Sequence, residues 1–506
     1  MPACNARLPR GRGGPNQSGM NSFLRKALIA LGIVVLVLVG IGAWLWHGNP
    51  TDRTLAATTG KYPQLVDPEP EKFPTIGIAR PIGWLPGETP TAAAGLVVNR
   101  FAEGLDHPRT LLSLPNGDVL VAETNRPAAK GGGGITGWVM NFFLDRAGAG
   151  GASPDKLILL RDADGNGTAE QRFTLREGLS SPSGMAFANG TLYVANHDAV
   201  LAFPFTPGQT ALTGAPRKIM DLAPAGNHWM RNLELSPDGK KLYVAVGSSS
   251  NIGENGMKAE EGRAMIWELD LASGRQRQYA GGLRNPNGMD WNPATGELWT
   301  VVNERDQLGG DLVPDYLTNV PIGAQYGWPW FYWKDKQDDR VKEPMPEFLN
   351  EYVRKPEFAL GAHVAPLGLR FAAAGNRLGA NYANGAFIAR HGSWNRKPAV
   401  GYDVVFVTFD ANGNPRGLPV TVLGGFLSPH GDTTHGRPTW LGFDKTGGLL
   451  VSDDTAGIVW RVIAPGAAPN AGVKPVETAH LPPRTQLNSE AEAIASFRPN
   501  PDEQQR

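Results

Sequence analysis

The chain has 506 residues, and its 48 basic and 48 acidic side chains give a formal net charge of zero. That balance leaves neither the basic surface expected of a nucleic-acid-binding protein nor a strongly acidic one, so no nucleic-acid partner is predicted. The 64 glycines and 42 prolines favour many short strands joined by turns over a helical protein.

The N-terminal region carries a membrane signal. Residues 1–26 contain five basic residues and no acidic one, and residues 27–46 form an uncharged apolar run. A run of about 20 such residues is long enough to cross the hydrocarbon core of a bilayer. The basic flank predicts that residues 1–26 are cytoplasmic and that the body is periplasmic or extracellular, in a single-pass protein of the inner membrane. No small-residue cleavage site follows closely, so a retained anchor is favoured over a removed signal peptide.

Two segments of weak apolar periodicity flank the body. Prolines recur through residues 47–94, which predicts a semi-extended linker, and residues 464–506 are rich in alanine, proline and polar residues, which predicts a disordered tail. The only cysteine, Cys4, precedes the apolar run, so the exported part has no disulfide and must rely on a large core. It also lacks the motif that attaches a c-type haem.

Between these segments an apolar-alternating hairpin with a glycine turn recurs six times. The paired segments are 110–117 with 118–124, 184–190 with 191–197, 233–235 with 241–247, 288–296 with 297–303, 368–371 with 385–390, and 440–447 with 448–453. Their spacing is that of four-stranded blades with insertions. The sequence therefore predicts an all-β protein, a six-bladed β-propeller over residues 95–463, with two stacked β-sandwiches as the alternative.

Polar residues recur at one equivalent place, just before or just after these paired strands. In a propeller such loops meet around the mouth of the central channel, so residues remote in sequence converge there. Several cations with one or two histidines at that mouth suit a polyanionic, planar cofactor. His228 is the candidate proton acceptor, because imidazole titrates near neutrality. The polar segments are 227–228, 282–288, 303–306, 390–396 and 435–438.

At these residues the chain resembles the glucose/sorbosone dehydrogenases that use pyrroloquinoline quinone. The motifs that carry the resemblance are Asn227-His228 before a hairpin, Gly282-Leu283-Arg284-Asn285-Pro286-Asn287-Gly288, Asn303-Glu304, Gln325-Tyr326-Gly327-Trp328-Pro329, and Arg437 with Asp454-Thr455-Ala456-Gly457. They extend over most of the propeller. The segments 303–306 and 391–396 favour the L-sorbosone dehydrogenase-like branch.

The resemblance implies roles for individual residues. His228 matches the general base and Arg284 the arginine beside the substrate and the quinone. The remaining cofactor-binding positions are implied to be Asn227, Asn285, Arg305, His391, His435 and Arg437. A Ca²⁺ ion on the quinone is implied next to Arg305 and Asp306, partly through main-chain carbonyls. The chain departs from the better-known members at Arg305-Asp306, where they have Gly-Pro. The family's lysine after the fifth blade has no clean counterpart, with His391 or Arg390 in its neighbourhood, and His435 stands where an arginine is expected.

A separate metal signal lies in the segment 162–167. Asp162, Asp164 and Asn166 place oxygen ligands at alternate positions with glycine following, as a calcium loop does, although Phe173 replaces the last glutamate of an EF-hand. The alternatives are a structural calcium site and an ordinary polar turn.

These features together predict a membrane-anchored quinoprotein that oxidises a sugar aldehyde or an aldose and passes electrons to an external quinone or cytochrome. Two alternatives stay open. One is a calcium-dependent hydrolase of the lactonase type, with Glu123, Asn196, Asn303 and Asp453 as strand-end ligands. The other is a non-catalytic sugar-binding propeller.

Overall fold

The computed structural model of the chain describes residues 17–47, 50–72, 75–127, 142–143 and 145–476. The chain divides into two compact units, Met1–Gly48 and Asn49–Arg506. The first contains the α-helix Gln17–His47, in which Ser22–Gly40 is apolar and long enough to cross a membrane. The predicted apolar helix near the N-terminus is therefore present, and it begins ten residues earlier than the run at residues 27–46.

The second unit is a six-bladed β-propeller of four-stranded antiparallel sheets. The strands of the first three blades follow one another in the chain. Blade 1 contains Pro108–Ser113, Val119–Glu123, Lys156–Arg161 and Gln171–Arg176. Blade 2 contains Gly184–Ala188, Thr191–Ala195, Ala199–Pro204 and Arg217–Asp221. Blade 3 contains Arg231–Leu235, Lys241–Val246, Met265–Asp270 and Gln276–Gly281.

The last three blades carry longer insertions or borrow a strand. Blade 4 contains Asn285–Trp291, Leu298–Asn303, Pro314–Asn319 and Phe358–Ala362. Blade 5 contains Pro366–Phe371, Gly385–Arg390, Asp403–Phe409 and Pro415–Gly424. Blade 6 contains Pro438–Phe443, Leu449–Asp453 and Ile458–Ile463, with Val97–Ala102 as its fourth strand. Short elements in the loops are Met257–Glu260, Phe331–Tyr332, Lys336–Gln337, Leu349–Tyr352, Ala380–Tyr382 and Thr433–Thr434.

The ring is closed by strands from its two ends. Val97–Ala102, which precedes blade 1, pairs with Ile458–Ile463 of blade 6, so the N-terminal and C-terminal parts of the propeller share one sheet. The first strands of all six blades contact their neighbours in an unbroken circle. Each predicted hairpin forms the first two strands of one blade, which confirms the propeller and excludes the two stacked sandwiches.

The core lies between neighbouring blades, because alternate side chains of each strand face the next sheet. The second strand of a blade is buried on both faces, as in Val119–Glu123, whose five residues are all buried. One apolar cluster joins Leu120 of blade 1 to Leu192 of blade 2, and another joins Val301 of blade 4 to Ile388 of blade 5. This packing holds the strand ends rigidly around the channel.

The segment predicted as a linker lies along the propeller. Thr59–Gly60, after the 3₁₀ helix Leu55–Thr58, adds a strand to blade 4, and Thr91–Ala92 adds one to blade 5. Between them Arg80–Pro81 pairs with Thr433–Thr434. In the predicted tail, the main-chain amides of Asn470 and Val476 donate to Asn376 and Ala294, and residues 477–506 lie outside the described residues.

Candidate active site

The antiparallel order of each blade decides which loops meet. The first strand starts, and the second strand ends, at the same face of the propeller, because adjacent strands run in opposite directions. All predicted site residues except those of the 162–166 turn lie at such positions. The turn between the third and fourth strands of blade 1, which holds Asp162 and Asp164, lies at the opposite face.

His228 lies in the loop before the first strand of blade 3. Its Nδ1 atom is 2.9 Å from the main-chain oxygen of Ser248 and 3.0 Å from the Ser248 hydroxyl oxygen. A carbonyl oxygen only accepts hydrogen bonds, so Nδ1 carries the proton and Nε2 of the neutral ring is the acceptor. Burial lowers the pKa of His228 well below its usual value, and the charge of Arg284 adds to this shift. The ring is therefore a neutral base at pH 7.

The His228 loop is held from two sides. The fully buried Arg231 donates to the main-chain oxygens of His228 at 3.1 Å and Ala223 at 3.0 Å. Burial, followed by the charge of Arg263, lowers the pKa of Arg231 to about 9, at which it still carries its charge at neutral pH. On the other side a Cβ atom on Gly247 would lie 2.7 Å from His228 Cβ, so the close approach requires glycine there.

Arg284 begins the blade 4 side of the site, and protein acceptors bind all of its N–H groups. Nη2 donates to Asp306 Oδ2 at 2.7 Å and to Asn251 Oδ1 at 2.9 Å, and Nε donates to the main-chain oxygen of Asn251 at 3.2 Å. Nη1 donates to the main-chain oxygens of Glu304 at 2.5 Å and Asn303 at 3.4 Å. With five bonds made, Arg284 acts on a neighbour through its charge rather than by a further donated hydrogen bond.

The two predicted asparagines differ in exposure. Asn285 is buried, donates from Nδ2 to Asn303 Oδ1 at 3.4 Å, and places Oδ1 2.3 Å from the position of a Gly247 Cβ. It therefore lies beside His228. Asn227 is exposed, and its main-chain N–H donates to Ser249 O at 2.9 Å.

Arg305 lies in the interior below the site. Its side chain has no exposed surface and donates to the main-chain oxygens of Pro329 and Phe331, both at 2.6 Å. Ion pairs with Glu304 at 3.1 Å and Asp338 at 3.3 Å complete its environment. The guanidinium thus fastens the 325–338 insertion to blade 4, and the structure does not bring it to the mouth. Asp306 does reach the site, through Arg284.

A second group of residues comes from blades 1, 5 and 6, and we call it the arginine group: Arg109, His391, Arg437 and Asp454. His391 Nε2 lies 3.0 Å from an Asp454 oxygen, and Arg109 bonds the same carboxylate. Arg437 donates from Nε to His391 O and from Nη2 to Gly392 O, both at 3.0 Å.

The electrostatics of the arginine group leave it cationic. Burial lowers the pKa of His391 to about 4, with the Arg437 charge adding to the effect, so its ring is neutral at pH 7. Burial alone would raise the pKa of Asp454, but His391 and Arg109 more than offset it and the carboxylate stays ionised. Two guanidinium groups thus face one carboxylate. Among the described residues Arg437 Nη1 and Arg109 Nη2 have no hydrogen-bond partner, so donors remain for an anionic ligand.

The His228 side and the arginine group are joined around the mouth. Asp306 accepts a 2.8 Å hydrogen bond from Asn395, four residues after His391 in the same loop. On the other side Arg109 Nε lies 3.3 Å from the sulfur of Met230, two residues after His228. His228, Arg284, His391 and Arg437 therefore lie around the same end of the channel, whereas Arg305 does not reach it.

His435 belongs to the periphery of this site. Its Nδ1 atom lies 2.9 Å from Gly83 O, and its ring stacks on Trp84 with the centroids 4.7 Å apart. Trp84 Nε1 in turn donates to Asp453 at 3.2 Å. Residues 83–84, which precede blade 1, therefore cover His435. The fold does not bring the His435 side chain together with that of His228.

At the opposite face, carboxylate oxygens of Asp162, Asp164 and Glu170 lie within 4.8 Å of one another. Asp162 is buried and accepts three main-chain N–H bonds, from Gly165, Asn166 and Gly167. The Asn166 amide oxygen accepts from Thr168, and Glu170 takes the third acidic position. In the described part of the chain this is the one group of three acidic side chains close enough to share a cation, and it lies far from the channel mouth.

Two of the strand-end residues named for the hydrolase alternative, Asp453 and Asn303, form hydrogen bonds within the protein. Asp453 accepts from Arg437 N at 2.8 Å and from the indole groups of Trp84 and Trp460 at 3.2 Å. Asn303 Nδ2 donates to Pro366 O at 2.7 Å. Both side chains therefore support blade contacts.

Three side chains of the site were missed by reasoning from sequence: Arg109, Ser248 and Asn251. Arg109 stands at the start of a first strand, the register of the other site residues, and that register was the available signal. Ser248 and Asn251 lie in a serine-rich segment after the second strand of blade 3 that carries no distinctive motif. Their contacts with His228 and Arg284 depend on folding.

The TrAA12-like family model matches residues 90–321 and 336–464. An uncharacterised protein of Borreliella burgdorferi is 28% identical over 301 residues, which cover 57% of this chain and 77% of that protein. A pyrroloquinoline quinone-dependent pyranose dehydrogenase of Coprinopsis cinerea is 24% identical over 428 residues, which cover 73% of this chain and 54% of the fungal protein.

The fold is shared with a solved structure of a carbohydrate-active enzyme of family AA12 from Trichoderma reesei. The two superpose with a TM-score of 0.61 at 21% identity, over 74% of this chain and 97% of the fungal one. The similarity covers the propeller and supports the blade assignment above.

Proposed function

The chain belongs to the TrAA12-like family, and on that premise we propose that it is a pyrroloquinoline quinone-dependent dehydrogenase that oxidises a sugar. The observation that carries the proposal is the state of His228. Its Nδ1 proton is held by Ser248, its pKa is lowered, and its Nε2 atom is left as an acceptor beside a cationic mouth. A neutral imidazole in this state accepts a proton from a substrate hydroxyl.

The arginine group suits the cofactor. Pyrroloquinoline quinone is a planar tricarboxylate, and guanidinium groups bind carboxylates with matched geometry. Arg437 and Arg109 would hold its carboxylates, with His391 and Asn285 as further polar contacts. When bound, the quinone supplies the electrophilic carbonyl that accepts a hydride from the substrate carbon.

Arg284 contributes a fixed charge. Its five donors are bound by the protein, which fixes the position of its charge. Its positive field keeps His228 unprotonated before the reaction and stabilises negative charge that develops on a substrate oxygen. Asp306 pairs with Arg284 and holds its orientation.

We infer a sugar aldehyde or aldose as substrate, of the kind taken by the L-sorbosone dehydrogenase-like branch. We also infer Ca²⁺ as a second cofactor, with the carbonyls around Arg305 and Asp306 next to the quinone and a structural ion in the Asp162 turn. The apolar helix Gln17–His47 would anchor the enzyme in the inner membrane with the propeller outside, where an external quinone or cytochrome accepts the electrons.

The test uses the full chain in detergent, supplied with pyrroloquinoline quinone and Ca²⁺, with dye reduction measured for a panel of aldoses and sorbosone. The variant His228→Ala should lower kcat by about 10²- to 10⁴-fold, because it removes the general base. The exposed His430→Ala is the matched control and should keep wild-type turnover.

Quinone binding is measured separately by absorbance titration. Wild-type protein that binds the quinone but turns over no sugar would overturn the dehydrogenase and favour the sugar-binding propeller. Quinone-independent hydrolysis of lactones by the same preparation would support the hydrolase instead.

A further inference from the structure

The side chain of His228 rests on a short turn, Ser248–Ser250, which we call the serine turn. Both contacts of Nδ1 are to Ser248, through its main-chain oxygen and its hydroxyl. The main-chain N–H of Asn227 donates to Ser249 O at 2.9 Å, and a Cβ on Gly226 would lie 2.4 Å from Ser249 Cα. The loop that carries His228 therefore has no space to move independently of the serine turn.

The serine turn is held by one carboxylate, that of Glu260. This residue ends the 3₁₀ helix Met257–Glu260 and is 4% exposed. It accepts hydrogen bonds from the Ser249 N–H at 2.7 Å, from the Ser249 hydroxyl at 2.7 Å and from the Ser250 hydroxyl. All three donors belong to the serine turn.

Glu260 forms no salt bridge with any residue that the structure describes. A buried carboxylate without an ion pair is costly unless hydrogen bonds replace its water. Here the replacement comes from the serine turn, and Arg263 adds only the attraction of a nearby charge. The carboxylate and the turn therefore fix each other's position.

We propose that Glu260 is a positioning residue for His228, acting through the serine turn to hold the imidazole as the Nδ1–H tautomer with Nε2 available. Its effect on turnover rests on the proposed function, whereas its effect on the His228 ring does not. In metal sites, groups that hydrogen-bond a ligating histidine directly fix its tautomer and orientation, and their loss costs about 10- to 100-fold in affinity or activity. Glu260 acts on His228 through one intervening turn.

The alternative is that Glu260 only stabilises the blade. Glu268 provides the control that distinguishes a positioning role from a purely structural one. It is also buried in blade 3, where it bonds Lys241, Tyr243 and Arg277. It lies on the third strand of that blade, and its hydrogen bonds and ion pairs go to residues outside the serine turn. Glu268→Ala therefore removes a buried carboxylate of the same blade without touching the support of His228.

The first measurement needs no cofactor. Diethylpyrocarbonate acylates unprotonated imidazole nitrogen, and peptide mass spectrometry of the full chain in detergent follows His228 separately. In the wild type the rate should reach half its maximum well below pH 6.5, because desolvation and the Arg284 charge lower the pKa of the His228 ring. The charges nearest to the ring, Arg284 and Arg231, are kept in every variant. In Glu260→Ala the midpoint should rise towards about 6.5, the value of a solvated histidine.

The second measurement is turnover with quinone supplied. Glu260→Ala should lower kcat by about 10- to 100-fold with little change in KM, because it disturbs the base rather than substrate binding. Glu260→Gln should keep the acylation midpoint and kcat close to their wild-type values, since an amide can accept from the Ser249 N–H and donate to the two hydroxyls. Glu268→Ala should leave the midpoint and kcat at wild-type values while lowering the unfolding temperature.

Equal midpoints in Glu260→Ala and the wild type would overturn the positioning role, as would an equal change in Glu268→Ala. A wild type with no quinone-dependent turnover would overturn the proposed function and leave the acylation result to decide the positioning role. If Glu260→Ala does not fold, Ser249→Ala, which removes one of the three bonds, should shift the midpoint in the same direction by a smaller amount.

Discussion

Gly247→Ala offers a direct test of the site geometry. Gly247 follows the second strand of blade 3, and an added Cβ would lie 2.3 Å from Asn285 Oδ1 and 2.7 Å from His228 Cβ. Carbon atoms pack at about 3.5–4.0 Å, so His228 would have to move by roughly 1 Å. Misplacement of a reacting group by about 1 Å costs on the order of 100-fold in rate. Overpacking of this kind also destabilises the fold by about 1–3 kcal/mol.

The assay compares kcat, KM and urea unfolding of Gly247→Ala with those of Gly214→Ala. Gly214 has no atom within 4 Å of its added Cβ, so that variant should match the wild type in rate and stability. In Gly247→Ala kcat should fall much more than KM changes, because the base moves and the arginine group does not. Wild-type kcat and stability in Gly247→Ala would refute the placement of His228 against Gly247.

Two further predictions concern protons and metal. Because burial and Arg284 hold the pKa of His228 below 6.5, kcat/KM should stay constant as pH falls through 6.5 and decline only at lower pH, where the ring gains a proton. In Arg284→Gln the decline in kcat/KM should move to higher pH, because the charge that lowers the pKa of His228 is removed. An unchanged pH profile would argue that another group is the base. Millimolar Ca²⁺ should raise the unfolding temperature of the wild type but not of Asp162→Asn, since a ligand at 100 times its Kd stabilises by about 2.7 kcal/mol. Equal responses of the two proteins to Ca²⁺ and to a chelator would place the stabilising ion elsewhere.

Much of the fold follows from local sequence. An apolar-alternating pair of strands with a glycine turn is specified by adjacent residues, so each of the six hairpins was visible without knowledge of the others. The order of antiparallel strands then implies which loops share a face. That is why His228, Arg284, His391 and Arg437 were predicted to converge and do lie around one mouth.

The roles of individual cations did not follow in the same way. Arg284, Arg305 and Arg437 look equivalent in sequence, at the same register of neighbouring blades. In the structure Arg437 keeps an N–H donor without a partner, and all five N–H donors of Arg284 are bound by the protein. Arg305 is fully buried under an insertion. Whether a guanidinium faces a ligand or the protein depends on which carbonyls and carboxylates the fold brings near it.

The sequence by itself determined the number of blades and the apolar helix before them, and it singled out His228 as the proposed base. Only the tertiary structure decided the tautomer of that histidine and which of the predicted cations keep donors for a ligand. His228 takes its tautomer from Ser248, 20 residues away, and Arg109 meets Asp454 across 345 residues of chain. Strand pairing depends on residues close in sequence, whereas the proton and charge state of a buried group depends on every dipole packed around it.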